Sequence, residues 1–261
     1  MRSLSIAATG MLAQQLNVEV ISNNIANMQT TGYKRQRPEF QDLLYQSVRQ
    51  VGSTSSDTGT VVPSGIQLGL GVRTASVYRI IEQGTILGTN ATFDLAIQGK
   101  GWFQVQLPSG ETGYTRAGSF QLSPSGEIVT ADGYTVLPAI TIPPEAIQVS
   151  INATGDVEIK LAGQSAPSNV GTLTLASFPN EAGLEAIGNN LMLESASSGG
   201  AVTGIPGSGG LGTLLQGFLE SANVNAVAEI TSLITAQRAY EMNSKVITTS
   251  DEMMAAISQL R

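Results

Sequence analysis

The sequence predicts an α+β protein, built of two long terminal helices, a central and mostly antiparallel β domain, and extended linkers between them. Three observations carry that reading. Apolar residues recur at alternating spacings of three and four at both ends of the chain, which is the period of a helix seam. Short β-rich runs bounded by Pro, Ser and Gly fill the middle, the pattern of hairpins. The stretches between are rich in Gly, Ser and Thr and poor in charge, which suits extended connection.

The first seam runs through Leu4, Ala7, Met11, Gln14, Val18, Ile21, Ile25 and Met28, seven of the eight being apolar. A helix over them is roughly 37 Å long at about 1.5 Å per residue. Past Met28 the run "QTTG" brings β-branched residues and a glycine that tolerates positive φ, so the helix should stop between Asn27 and Gly32. Residues 51–72 hold one charge, Asp57, and read as extended connection with short strand pieces.

From about Ala75 to Leu175, strands are expected at "SVYRII", "FDLAIQ", "WFQVQL", "GSFQLS", "EIVTADGYTVL" and "IQVSI". The intervening "PSGE", "SPSGE" and "ADG" are turn chemistry. Residues 195–213, "SASSGGAVTGIPGSGGLGT", read as low-complexity loop. Beyond them Leu233, Tyr240, Ile247 and Met254 fall seven apart, with Ala236, Asn243, Ser250 and Ile257 at the intervening positions. No Pro or Gly follows Gly217, so a second helix of roughly 35 residues, about 50 Å, is expected to the C-terminus. The expected layout is a helical part of residues 1–32 and 223–261, connecting segments at 33–74 and 191–222, and a β domain at 75–190.

Composition narrows the chemistry. At 261 residues and 41% hydrophobic the chain can bury a sizeable core. It has no cysteine and no histidine, which removes disulfides, thiol chemistry, the usual general base and the commonest metal ligand. Residues 1–50 carry five basic groups against three acidic ones, so the net charge of −7 leaves −9 on the remainder. An acidic body with scattered basic residues argues against nucleic acid as a partner. "MRSLSIAATGMLAQQ" is too polar for a secretory signal, and no apolar run nears the roughly 20 residues of a membrane span, so membrane insertion is not expected.

Motifs that could carry catalysis are weak. "GIQLGLGVR" has neither the spacing of a dinucleotide fingerprint nor the Lys and Ser/Thr of a phosphate loop, so no cofactor is expected. "IQGKGWF" reads as a hairpin with Trp102 as a core aromatic. Asp94, Glu127 and Asp132 are the carboxylates to consider for glycoside cleavage, and turn positions account for Glu127 and Asp132; the chain does not read as an enzyme. A binding module would need an aromatic or charged groove at 85–190, where Tyr and Phe are spread singly. The terminal helices themselves must hide their seams on the β domain, on each other, or on neighbouring chains. Isolated helices are marginal in water, so the choice lies between a two-helix buttress and segments that order on assembly.

A resemblance bears on that choice. "ISNNIANMQTTGYKRQRPEF" and "NVNAVAEITSLITAQRAYEMNSKVITTSDEMMAAI" closely resemble the N- and C-terminal signatures of the bacterial flagellar rod and hook proteins. "DLAIQGKGWFQVQLPSGETGYTRAGSFQLSPSGEIVTADGYTVLP" resembles the block those subunits share. Within the family the likeness is greatest to its distal-rod members, with proximal rod and hook subunits as the alternatives. The resemblance implies a non-enzymatic, cofactor-free structural subunit. Such a subunit is exported without a cleaved signal through the flagellum's own type III apparatus. It polymerises with itself into a straight, hollow tube that crosses the periplasm to the outer membrane and transmits torque. It implies terminal helices paired as a coiled coil in the inner tube and an outward β domain. The implied partners are further copies, proximal rod, hook and rod–hook junction proteins, and the bushing rings. The residues it marks for packing and assembly are Leu4, Met11, Val18, Ile21, Asn24, Ile25, Asn27, Thr31, Gly32, Tyr33 and Lys34 in the first segment. In the second they are Leu233, Gln237, Arg238, Tyr240, Asn243, Ile247, Met254 and Ile257. The stretch from about Gln46 to Arg73 is implied to wedge between subunits and stiffen the polymer.

Overall fold

The structure, a computed structural model, describes residues 2–49, 64–164 and 166–259. The chain divides into two compact units, one of residues 1–25, 36–78 and 226–261 and one of residues 26–35 and 79–225. Of the expected 51–72 connection and 46–73 stiffening segment, residues 50–63 lie outside the described residues.

The first unit holds α1 (Arg2–Ala26) and α2 (Ala226–Gln259). The end of α1 at Ala26 falls one residue before the expected window, with the chain turning through residues 27–32. A short strand pair, Gln36–Asp42 with Val72–Arg79, and a ribbon of Tyr45–Arg49 with Ile66–Gly69 complete the unit. Tyr45, Val48, Ile66 and Leu68 on that ribbon are all exposed. Among the described residues no helix is long and apolar enough to cross a membrane.

The second unit is built of antiparallel pairs. Its main sheet runs in the order Glu185–Gly188, Leu191–Leu193, Thr112–Thr115, Trp102–Gln106, Leu175–Ser177 and Val202–Gly204, with Val136–Leu137 also on Trp102–Gln106. A three-stranded sheet of Ala146–Ile151, Asp156–Leu161 and Ser168–Thr172 and several two-stranded pairs surround it. The turns use the expected residues: in "SPSGE", Gly126 takes φ 84° and donates its N–H to the Ser123 carbonyl at 2.8 Å, a conformation that costs a residue with a Cβ. Leu95, Ile97, Phe103, Val105, Leu173 and Leu175 form the centre of the core. Phe103 meets Phe120 edge-on at 5.0 Å, and Trp102 packs in a second cluster with Tyr114 and Phe178.

Residues 195–213 are mostly the expected loop, interrupted by the short strand Val202–Gly204 and ending where the strand Thr213–Gln216 begins, in register with Leu95–Gln98. A three- or four-residue strand laid beside an existing one gains its hydrogen bonds from the neighbour, so it needs little intrinsic propensity. The β unit consequently reaches Asn225.

Candidate assembly site

On α1, Ile21 and Asn24 are buried and Leu4, Met11, Val18 and Ile25 are half-buried. On α2, Leu233, Asn243, Ile247 and Met254 are half-buried, whereas Gln237, Arg238, Tyr240 and Ile257 are exposed. Three contacts between the helices fix their register. Ser250 Oγ lies 3.4 Å from Ser3 Oγ, and a Cβ added to Gly10 would come within 2.9 Å of the Asn243 amide. Asn24 Nδ2 donates to Glu229 Oε2 at 3.2 Å. Steps up α1 of 7 and 14 residues are matched by equal steps down α2, so the two helices run antiparallel in one register over that span. At Gly10 the approach is close enough that any side chain would press on Asn243. Other large apolar groups of α2 are left in solvent: Val227, Met242, Met253 and Ile257 are 75%, 64%, 60% and 68% exposed.

Asn24 also organises the first unit beyond the helices. Its Oδ1 accepts the Gln36 N–H at 2.8 Å and its Nδ2 donates to the Gln36 carbonyl at 2.9 Å. The side-chain amide thus pairs with both backbone groups of Gln36, at the start of its strand. With Glu229 as a further acceptor, a carboxamide suits the site and a carboxylate does not.

The segment after α1 is anchored inside the β unit. Asn27, Thr31 and Tyr33 are half-buried, and Gly32 and Lys34 are buried. Gly32 has φ 69°, and a Cβ there would lie 2.7 Å from backbone atoms of Arg116 and Ala117. Its N–H donates to the Glu220 carbonyl at 2.8 Å. Lys34 Nζ contacts Glu220 Oε1 at 2.6 Å and donates to the Glu82 carbonyl at 2.8 Å. Glu220 Oε1 also accepts the Gly84 N–H at 2.9 Å. The second carboxylate oxygen faces Arg116 Nε at 3.2 Å as an ion pair without an aligned hydrogen bond. The Arg116 guanidinium spends its terminal N–H groups on the Gly101 and Gly99 carbonyls, each at 2.7 Å. Burial pushes the Lys34 ammonium below its ordinary range, and Glu220 opposes the shift. Burial likewise lowers Arg116.

Sequence reasoning reached Lys34, Gly32 and Asn24 but missed Glu220, Arg116 and Glu229. One signal was available: Glu220 is the single charge between Glu194 and Glu229, and an isolated carboxylate beside "GFL" asks for a buried partner.

Three family models match. "Flagella basal body rod protein" covers residues 4–34, "Flagellar hook protein FlgE/F/G D1 domain" residues 96–159, and "Flagellar basal body rod FlgEFG protein C-terminal" residues 215–260. Full-length relatives agree. The chain is 61% identical over 261 residues, all of both chains, to the flagellar basal-body rod protein FlgG of Caulobacter vibrioides. It is 51% identical to that of Agrobacterium fabrum over 99% of each chain, and 39% identical to that of Bacillus subtilis over 100% of this chain and 99% of the relative. With the matched models falling on both terminal segments and on the β unit, the chain belongs to the flagellar basal-body rod protein family.

Proposed function

We propose that this protein is a structural subunit of the flagellar distal rod, located in the basal body. It assembles with copies of itself into a straight, rigid, hollow tube that carries torque and forms part of the export path. The observation that carries the reading is similarity to FlgG proteins along the whole chain, including both termini. A binding module or enzyme would share the β unit without needing the ends.

In this reading α1 and α2 pair as a coiled coil in the inner wall. The antiparallel register at residues 3/250, 10/243 and 24/229 supports it. The exposed Met242, Val246, Met253 and Ile257 are sites for neighbouring copies, since such a patch is costly on a protein that stays monomeric. The residues at 46–73 stiffen the polymer by lying between subunits. Proximal rod, hook and junction proteins and the bushing rings are the further partners, reached through type III export.

The test is polymerisation of the full chain, followed by sedimentation and electron microscopy, in wild type and Ile247→Asp. Wild type should form straight tubes, and the variant should stay monomeric with its β unit folded. Tubes formed equally by the variant would remove the helix seam from the assembly mechanism. Discrete, non-polymeric wild-type particles at all concentrations would count against the reading itself.

A further inference from the structure

We infer that Glu220 is a positioning residue for assembly: by gathering Lys34 and Arg116 it locks the chain's exits from the β unit into one geometry. The inference rests on the assembly reading above. The chain passes between its two units after residues 25, 35, 78 and 225. The β-unit residues next to three of those crossings are tied to one another. Asn223 Oδ1 accepts the Arg35 N–H at 2.7 Å, and its Nδ2 donates to the Ile80 and Glu82 carbonyls at 2.8 and 3.0 Å. Ile80 N–H donates to the Arg35 carbonyl at 2.9 Å. Glu220, three residues before Asn223, holds Lys34 and Arg116 in the same knot, and the Lys34 ammonium also binds the Glu82 carbonyl.

The chemistry favours a geometric role over a stabilising one. Buried ion pairs add little net stability compared with apolar packing of the same volume, because each charge loses its hydration. What they impose is selectivity: any other arrangement of these three segments strands a charge away from water. Two cations and one carboxylate, with side chains 0–4% exposed, have few ways to be satisfied together. A polymer makes such selectivity useful, since an angular error in each subunit adds up along the tube.

The experiment uses the full chain carrying Lys34→Met with Glu220→Gln. This change removes the ion pair, leaves the net charge of the cluster unaltered, and keeps one acceptor oxygen for the Gly84 N–H. Hydrogen exchange is read on the monomer and tube morphology on the polymer. The amides of Gly32, Arg35 and Gly84 should exchange at least about tenfold faster than in wild type, with those of Leu95–Gln98 and Trp102–Gln106 unchanged. Tubes should be absent or irregular. Unchanged protection at the three amides overturns the inference, and so do straight, regular tubes from a variant whose three amides have loosened.

Should the double variant not fold, Asn223→Ser loosens the same knot without removing a charge and is read in the same way at Arg35, while Lys34→Arg should retain protection and tubes. If wild type forms no tubes, the assembly reading fails, and the exchange result still decides whether the knot is a lock.

Discussion

Glu220 Oε1 and Lys34 Nζ lie 2.6 Å apart although 186 residues separate them in the chain, and both side chains are buried. Glu220→Ala leaves two cations, Lys34 and Arg116, without a carboxylate. The expected loss is about 3–5 kcal/mol in the stability of the β unit, measured by urea unfolding. The exposed pair of Arg35 and Glu82, at 3.9 Å, is the contrast: Glu82→Ala should change stability by less than about 0.5 kcal/mol.

Lys34 also gives the protein a pH signature. Burial holds its folded-state pKa below 10.5, against the pull of Glu220, so the folded chain binds this proton less tightly than the unfolded one. The stability of wild type relative to Lys34→Met should rise with pH through the window below 10.5 and reach its full value above it. It should shrink as pH falls through the lowered pKa. Parallel unfolding curves of the two proteins across that range check the sign, and a difference that falls with rising pH would contradict it.

At Gly32 the backbone itself is the constraint. Gly32→Ala places a side chain at φ 69° and 2.7 Å from the Arg116–Ala117 peptide. Strain of that kind costs about 1–3 kcal/mol, and the clash adds to it. Gly110, at φ 87° with nothing near its Cβ position, isolates the strain alone, so Gly110→Ala should cost less than Gly32→Ala in the same thermal or urea assay.

Asn24 tests the first unit. Asn24→Ala strips the Gln36 N–H and carbonyl of their partners, and each buried group left unsatisfied costs about 1–3 kcal/mol. Asn24→Asp keeps the acceptor but turns a donor toward Glu229 into a second carboxylate, so it should be at least as damaging at neutral pH. Helix content by circular dichroism during urea titration reads both, and an unaltered midpoint for either would show that the amide bridge does not hold the helix end.

What was legible in the sequence follows from local periodicity. The seven-residue recurrence of Leu233, Tyr240, Ile247 and Met254 marked α2, and "SPSGE" and "ADG" marked turns, because helix seams and glycine turns are set by neighbours in the chain. The signatures around "NNIAN" and "TGYK" pointed to Asn24, Gly32 and Lys34. The tertiary structure alone decided their partners. Glu220 and Arg116 reach Lys34 from 186 and 82 positions away, a pairing no local pattern encodes, and Val202–Gly204 became a strand because a neighbouring strand offered its edge. Element types were set by short-range sterics and spacing. The buried charge cluster was set by which distant segments the fold removes from water together, where an unpaired charge is most expensive.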